Sequence, residues 1–332
     1  MTLNSDAIRP VLSLVIPAFR EENNIPVLYA RIVEVLEHTG LSWECIFVDD
    51  HSPDNTFNTI QSLSSHDSRV IGLRLSRNMG SDTAIMCGLD HAHGECVVFL
   101  AADLQDPPEL IPQLIDCWRK GAQIVGAVRA KREGIDGGYK FFAGLYYAFM
   151  RQILGMKEIP ATGADFFLLD RKVVDVLRHF KESDLCICAL ISWIGFRQEY
   201  VPYTKLARMH GISNQTMTKI LRRILDSVTS FTYLPLRLIS VAGMCVSIIG
   251  FLYAFLIIFR SLLFDAPVQG WPSLMVVVLL IGGIQMLMMG FLGEYLRRTL
   301  DESRKRPFYM IERDTLKKEP HELLQYLGLK HV

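Results

Sequence analysis

The amino-acid sequence predicts an α/β protein: a mostly parallel sheet covered by helices, followed by a C-terminal two-helix transmembrane hairpin. Three observations carry this. Between Val11 and Val128, β-branched runs alternate with segments of helical spacing, the pattern of parallel strands joined by helical crossovers. Two uncharged stretches follow, Leu238 to Phe259 and Trp271 to Gly293; at ~1.5 Å per residue each spans roughly 33 Å as a helix, enough for a hydrocarbon core of about 30 Å. Apolar residues make up 50% of the 332 and charged residues 21%, which excludes a disordered chain and is greasier than a typical soluble enzyme.

The elements follow in order. Val11 to Ile16 reads as a strand that Pro17 stops, and Ile25 to Glu37 as a helix, with Asn23 and Asn24 as cap candidates and Pro26 tolerated in the first turn. Strands are expected at Glu44 to Asp49, Val70 to Leu75, Cys96 to Leu100 and Gln123 to Val128, and helices at Thr56 to Leu63, Ser81 to Ala92 and Pro108 to Trp118. Phe141 to Leu154 suits a membrane interface and a core helix equally. Asp165 to Asp170 reads as a strand, Lys172 to Phe180 as a helix and Arg197 to Tyr203 as a strand. Lys219 to Phe231 is an amphipathic approach to the first span, its Arg222 and Arg223 suited to anionic headgroups. The expected organisation is a globular domain over 1–210, a juxtamembrane segment over 211–235, two spans over 236–296 and a tail over 297–332.

Charge gives orientation and excludes partners. Lys219, Arg222, Arg223 and Arg237 precede the first span, and Arg297, Arg298, Arg304, Lys305 and Arg306 follow the second, whereas the connection holds only Arg260 beside Asp265. The excess of basic residues predicts that the globular domain and both chain ends are cytoplasmic in a multi-pass inner (plasma) membrane protein. Met1 to Pro10 shows no secretory signal. Thirty-five basic residues balance 35 acidic ones, so no nucleic-acid partner is expected. Seven cysteines, an odd number without a Cys-x-x-Cys pair, predict reduced thiols rather than a disulfide framework or zinc cluster.

Open parallel sheets bind ligands beyond the carboxyl ends of their strands. The polar residues there are Arg20, Glu21 and Glu22; Asp49 and Asp50; Arg77 and Asn78; and Asp103, Gln105 and Asp106. The sequence contains no Gly-x4-Gly-Lys-Ser/Thr loop, Gly-x-Gly-x-x-Gly turn, Gly-x-Ser-x-Gly elbow or His-Glu-x-x-His motif, so P-loop hydrolysis, dinucleotide redox chemistry, serine esterase action and zincin proteolysis are unsupported. Asp103 and Gln105 are read as two oxygen ligands on alternate residues of an extended segment, suited to Mg²⁺ or Mn²⁺ bridging a diphosphate. The competing reading is that Asp103 caps the turn before Pro107.

A family resemblance rests on Val15-Ile-Pro-Ala-Phe-Arg-Glu-Glu-Asn23, Phe47-Val-Asp-Asp50, Leu75-Ser-Arg-Asn-Met-Gly80 and Ala102-Asp-Leu-Gln-Asp-Pro-Pro-Glu109. Later matches are Ser192-Trp-Ile-Gly-Phe-Arg-Gln198, Thr229 to Arg237 and Gly293-Glu-Tyr-Leu296. In this order they resemble family 2 inverting glycosyltransferases acting on polyprenyl phosphates, such as bactoprenol glucosyl transferases and dolichol-phosphate mannose synthases. The resemblance implies a GT-A fold and transfer of a hexose from a nucleotide-sugar, UDP-glucose in the first instance, to undecaprenyl phosphate. It implies that Pro17, Phe19, Glu21 and Asp49 line the nucleoside pocket with Asn78 nearby, and that Asp103 and Gln105 hold the metal and diphosphate. It also implies that Asp165 faces the reaction centre, that Arg129, Arg132 and Arg208 meet the acceptor phosphate, and that the assembly is a homotetramer.

Physical chemistry refines these roles. A lipid monophosphate, with a second pKa near ~6, is already largely a dianion at neutral pH. The difficulty is bringing two anionic substrates together, which Arg129, Arg132 and the metal would offset. Asp165 is therefore expected to orient a sugar hydroxyl or a basic residue, with general base as the second role; for Arg129 and Arg132 the competing reading is a solvated charge run with Lys131 and Glu133. The polyprenyl chain stays in the bilayer because each exposed methylene costs ~0.8 kcal/mol. Ala101 stands where relatives carry a carboxylate, Ala164 precedes Asp165 in place of glycine, and Phe167 replaces a frequent arginine. Ala101 in particular keeps open a second reading, a membrane-anchored nucleotide-sugar binding protein without turnover. A processive synthase is disfavoured because no tryptophan follows an arginine.

Overall fold

The computed structural model describes residues 10–129, 164–180, 186–206, 270–304 and 306–316, together with helical positions between 240 and 259. Arg132, Arg208 and the segments 141–154 and 219–231 lie outside the described residues. The chain divides into two units, one of Met1–Thr216 with Pro307–Val332 and the other of Met217–Arg306.

In the first unit the elements are β1 (Leu12–Ala18), α1 (Asn24–Glu37), β2 (Trp43–Asp49), α2 (Thr56–His66), β3 (Val70–Leu75), α3 (Ser81–His91) and β4 (Cys96–Phe99). A short 3-10 turn at Pro108–Leu110 leads into α4 (Ile111–Arg119), followed by β5 (Ile124–Arg129), β6 (Phe166–Asp170), α5 (Arg171–Leu177), α6 (Ile187–Trp193) and β7 (Gln198–Tyr203). After the second unit, whose last helix is α7 (Trp271–Ser303), the chain returns as β8 (Ile311–Asp314). The sheet runs β7-β5-β6-β4-β1-β2-β3-β8. Strands β4, β1, β2 and β3 are mutually parallel, as are β5 and β7. β6 is antiparallel to both its neighbours, and β8 lies antiparallel on the edge beside β3.

Two-residue periodicity explains the packing. Leu12, Leu14 and Ile16 of β1 join the core that holds Ile25, Leu28, Ile32 and Leu36 of α1. Val15, on the opposite face, packs on Gly88 of α3. The sheet is thus covered on both sides, and its central strands are apolar almost throughout.

Three features differ from the sequence reading. Pro17 does not stop β1, which pairs with β2 through Pro17 to Ala18. β4 ends at Phe99 opposite Val15, and the Val15 carbonyl accepts the last bond from that side, from Leu100 N–H. The N–H that Pro17 lacks would point where no strand remains, so nothing is lost. The short helix α6 and the strand β8, the latter beyond both apolar stretches, carry too few residues for periodicity to reveal.

Among the described residues no helix is long and apolar enough to cross a membrane, and the predicted hairpin is not established by the structure. The second unit nonetheless presents large apolar side chains outward, among them Met286, 75% exposed, and Met289, 68% exposed. None of the seven cysteines is joined in a disulfide.

A methyl group added at Gly88 would overlap Val15 Cγ1, a short side chain fully buried in β1. Gly88→Ala gains about 1 kcal/mol of helix propensity but forces a shift in a packed core, typically a penalty of 1–3 kcal/mol or more. The expected result is a net loss of stability, read as a lower denaturation midpoint; an unchanged or raised midpoint would show that α3 and β1 are not in contact there.

Candidate active site

The carboxyl ends of β4, β1, β2 and β3 share one edge of the sheet, and the polar residues after them form a rim. Among the described residues three non-glycines have positive φ: Arg20 at 61°, His51 at 58° and Leu104 at 61°. They follow β1, β2 and β4 respectively. Such conformations cost of order 1–3 kcal/mol each and persist where the surroundings over-determine them. Here they are held by hydrogen bonds from Arg20 N–H to Ser52 Oγ at 3.0 Å, between His51 Nδ1 and the Leu75 carbonyl at 3.1 Å, and from Gln105 N–H to Asp103 Oδ1 at 3.2 Å.

One half of the rim lies over β1, β2 and β3. Asp49 is fully buried at the end of β2. Its Oδ1 accepts from Ser52 N–H at 3.0 Å, while Oδ2 accepts no hydrogen bond and lies 3.3 Å from Arg74 Nη1. Burial pushes its carboxyl above the usual range, against the pull of Ser52 and Arg74. Asp50 accepts from Met79 and Gly80 N–H at 2.6 and 2.8 Å, fixing the start of α3, and burial raises it too. Asn78 donates to the Asp50 carbonyl at 3.3 Å. Glu21 takes its place through a bond from its N–H to Thr56 Oγ1 at 3.0 Å and another from Asn24 Nδ2 to its carboxylate at 2.5 Å. Pro17 and Phe19 are half-buried beside them, with the Arg20 guanidinium 5.3 Å from the centre of the Phe19 ring.

The other half gathers residues from β4, β5, β6 and β7. Arg129, at the end of β5, pairs with Asp165, just before β6. Lys205, two residues past β7, lies 3.4 Å from Asp165 Oδ2 and 3.6 Å from Asp106 Oδ1. Asp106 is fully buried and accepts from the Tyr203 hydroxyl at 2.6 Å, while its Oδ2 has no partner. Burial drives the Asp106 carboxyl above its ordinary value although Lys205 and Tyr203 pull it down. Burial likewise opposes the charge of Arg129, but Asp165 and Tyr203 outweigh it and hold the guanidinium above its ordinary value. The Leu206 N–H donates to the Gln105 carbonyl at 2.9 Å, tying the Lys205 segment to the loop that bears Asp103.

That loop corrects one expectation. Asp103 and Gln105 are not alternate residues of an extended strand, because Leu104 between them is left-handed and buries its side chain in the core. Sinking one apolar side chain bends the loop, and the Gln105 N–H closes it on the Asp103 carboxylate. Among the described residues no three His, Cys, Asp or Glu side chains form a metal cluster. Of the three aspartates in this half, Asp106 and Asp165 are engaged with Lys205, Tyr203 and Arg129. Asp103 and the Gln105 side-chain amide supply oxygen donors on the same loop. They fit a hard cation of the Mg²⁺ type, which takes one or two protein oxygens and completes its shell with substrate phosphates and water. When bound, such an ion would neutralise charge developing on a departing diphosphate.

The fold and its rim define an α/β domain of the class that takes its ligand at the carboxyl ends of parallel strands. Residues 13–178 match Glycosyl transferase family 2, and the chain belongs to that family. It is 39% identical to the uncharacterized glycosyltransferase YkcC of Bacillus subtilis (strain 168), over 91% of this chain and 93% of that one. It is 37% identical to the bactoprenol glucosyl transferase of Shigella phage SfV, over 92% of this chain and 99% of the other. Among solved structures it is similar to glucosyl-3-phosphoglycerate synthase from Mycobacterium tuberculosis, at TM-score 0.48 and 18% identity, covering 65% and 75% of the two chains.

Lys205 and Tyr203 are not among the site residues expected from the sequence, because the carboxyl-end rule is applied there to the early strands and not to β7. Asp106 was placed on the rim without a role. Arg74 carried a signal of its own, a charge inside the apolar run Val70 to Leu75.

Asp106 supplies a pH test. Its folded value is raised by burial, so the native state holds the proton more tightly than the unfolded chain, and stability falls as pH rises from the ordinary carboxylate value through the raised one. Asp106→Asn removes this penalty while an amide oxygen still accepts from Tyr203. The melting temperature of the variant relative to the parent should therefore move in favour of the variant as pH rises from the ordinary carboxylate value; a difference independent of pH would mean that Asp106 is not strained by burial.

Proposed function

We propose that this glycosyltransferase moves glucose from UDP-glucose to undecaprenyl phosphate at the cytoplasmic face of the inner membrane, with the second unit as its membrane anchor. The observation that carries the reading is the convergence of Arg129 and Lys205 on Asp165 beside Asp106, in a chain similar over almost its whole length to a bactoprenol glucosyl transferase. Two anions must meet in the reaction, and two cations stand ready where they would meet.

Asp165 holds Arg129 and Lys205 with one carboxylate oxygen. That role favours positioning of cations over proton abstraction, and an acceptor already present as a dianion needs no base. On arrival the acceptor phosphate takes over Arg129, helped by Arg132 and Arg208. A phosphate oxygen then attacks the anomeric carbon from the face opposite the diphosphate, so the new C–O bond forms as the bond to UDP breaks and the configuration inverts. Lys205 and the cation held by Asp103 and Gln105 would meet the charge left on UDP.

The anchor reading has two supports. Residues on both sides of Met217–Arg306 belong to one unit, so an excursion into a bilayer must cross it an even number of times. The outward apolar side chains of the second unit also suit lipid better than water.

The decisive assay uses the full chain in nanodiscs with labelled UDP-glucose, undecaprenyl phosphate and Mg²⁺. Lipid-linked glucose is expected, and Asp103→Ala should lower the rate by about 100-fold or more with the melting temperature retained. No lipid-linked product from any of a panel of UDP- and GDP-sugars would leave the reading as a binding protein without turnover, which Ala101 favours. Because the donor set is incomplete without a diphosphate, Mn²⁺ should bind tightly only when UDP is present. Equal Mn²⁺ affinity without UDP would require protein ligands beyond Asp103 and Gln105.

A further inference from the structure

The C-terminal strand is fastened along its length. The Thr315 N–H donates to the Gly72 carbonyl at 2.9 Å and its hydroxyl accepts from the Gly72 N–H at 2.8 Å. Ser64 Oγ lies 3.0 Å from the same hydroxyl, Ser76 N–H donates to the Met310 carbonyl at 2.9 Å, and the Tyr309 hydroxyl donates to Asp90 at 2.9 Å. A side chain at position 72 would meet Ile60 and Thr315 at 2.6 and 3.1 Å, so glycine there is what admits the strand.

Within this well-fixed segment the ladder is irregular. Arg74 pairs with Arg313 and Leu75 with Ile311, which passes over Glu312. In an unbroken ladder neighbouring side chains alternate between faces, and Glu312 would point away from the residue opposite Arg313. The bulge re-aims it. Glu312 Oε2 accepts from Arg74 Nε at 3.0 Å and lies 3.4 Å from His51 Nδ1. The same guanidinium donates from Nη2 to the Ser52 carbonyl at 3.2 Å and presents Nη1 to Asp49 Oδ2 at 3.3 Å. Two carboxylates therefore compete for one guanidinium. Glu312 has the hydrogen bond, and the buried Asp49 Oδ2 is left without one. An unsatisfied buried acceptor is expensive unless a ligand donor reaches it.

We infer that Glu312 is a positioning residue for the nucleotide: by drawing Arg74 and His51 toward β8 it keeps Arg74 from closing over Asp49, and so leaves the Asp49 carboxylate to the nucleoside. This rests on the reading of Asp49 as the nucleoside contact. Without Glu312 the guanidinium pairs fully with Asp49, which satisfies the carboxylate and shuts out the donor. The end of the chain, beyond the second unit, thereby sets donor affinity.

The test is UDP binding by calorimetry on the full chain in detergent, with steady-state kinetics alongside. Glu312→Ala should weaken UDP binding and raise KM for the donor by about ten-fold, with kcat within about two-fold and the melting temperature held, because a charge-assisted bond is exchanged rather than lost. Glu312→Gln, which keeps an acceptor for Arg74 Nε, should show a smaller effect and serves if the alanine variant folds poorly. In an Arg74→Ala background Glu312→Ala should add nothing. Asp49→Asn separates the two readings. If it leaves UDP binding unchanged, the nucleoside assignment and this inference both fall. If it weakens binding while Glu312→Ala does not, or if Glu312→Ala is as harmful without Arg74 as with it, this inference alone is overturned.

Discussion

Carboxylates withdrawn from water at the ends of parallel strands are the constraint on which this structure turns. Asp49, Asp50, Asp103 and Asp106 are all buried at one edge of the sheet, where a lone charge is strongly disfavoured. Each is therefore answered by something that fixes geometry around it. Asp50 is answered by the Met79 and Gly80 amides just before α3, Asp49 by Ser52 and Arg74, Asp106 by Tyr203 and Lys205, and Asp103 by the Gln105 backbone amide. The partners come from β3, β7 and the loops between strands. Satisfying the aspartates thus draws the whole rim together.

The positive-φ residues belong to the same logic. Arg20, His51 and Leu104 keep their backbones in a strained region because side chains or hydrogen bonds nearby have already been placed by the core. Leu104 buries itself, and Arg20 and His51 are held by Ser52 and Leu75. A rim stiffened in this way suits a reaction in which charge moves between fixed groups, because preorganised dipoles and ions need not rearrange as the bond breaks.

Much of the sheet was legible because its strands and helices are long enough for periodicity to speak: Val70 to Leu75 is an apolar run bounded by turns, and Ile25 to Glu37 shows a clean helical face. Pro17 misled because a proline acts on one side of a strand, and which side has a neighbour is a property of the sheet. The aspartates of the rim were legible from the rule on strand ends. Their cations were not, since Lys205 answers Asp106 from 99 positions away and Arg74 answers Asp49 from another strand, and pairing across such separations leaves no periodic trace. Glu312 was least legible of all: a four-residue strand with a bulge has neither period nor length.

The bond between Gly72 and Thr315 joins residues 243 positions apart. β3 is laid down early in synthesis, yet its outer edge stays without a partner until the ribosome has passed the second unit. During that interval the nascent chain carries an open strand edge of the kind that invites pairing with other chains. This edge of the sheet is thus completed only after the second unit has been synthesised, and a chain lacking β8 would be left with an unsealed flank.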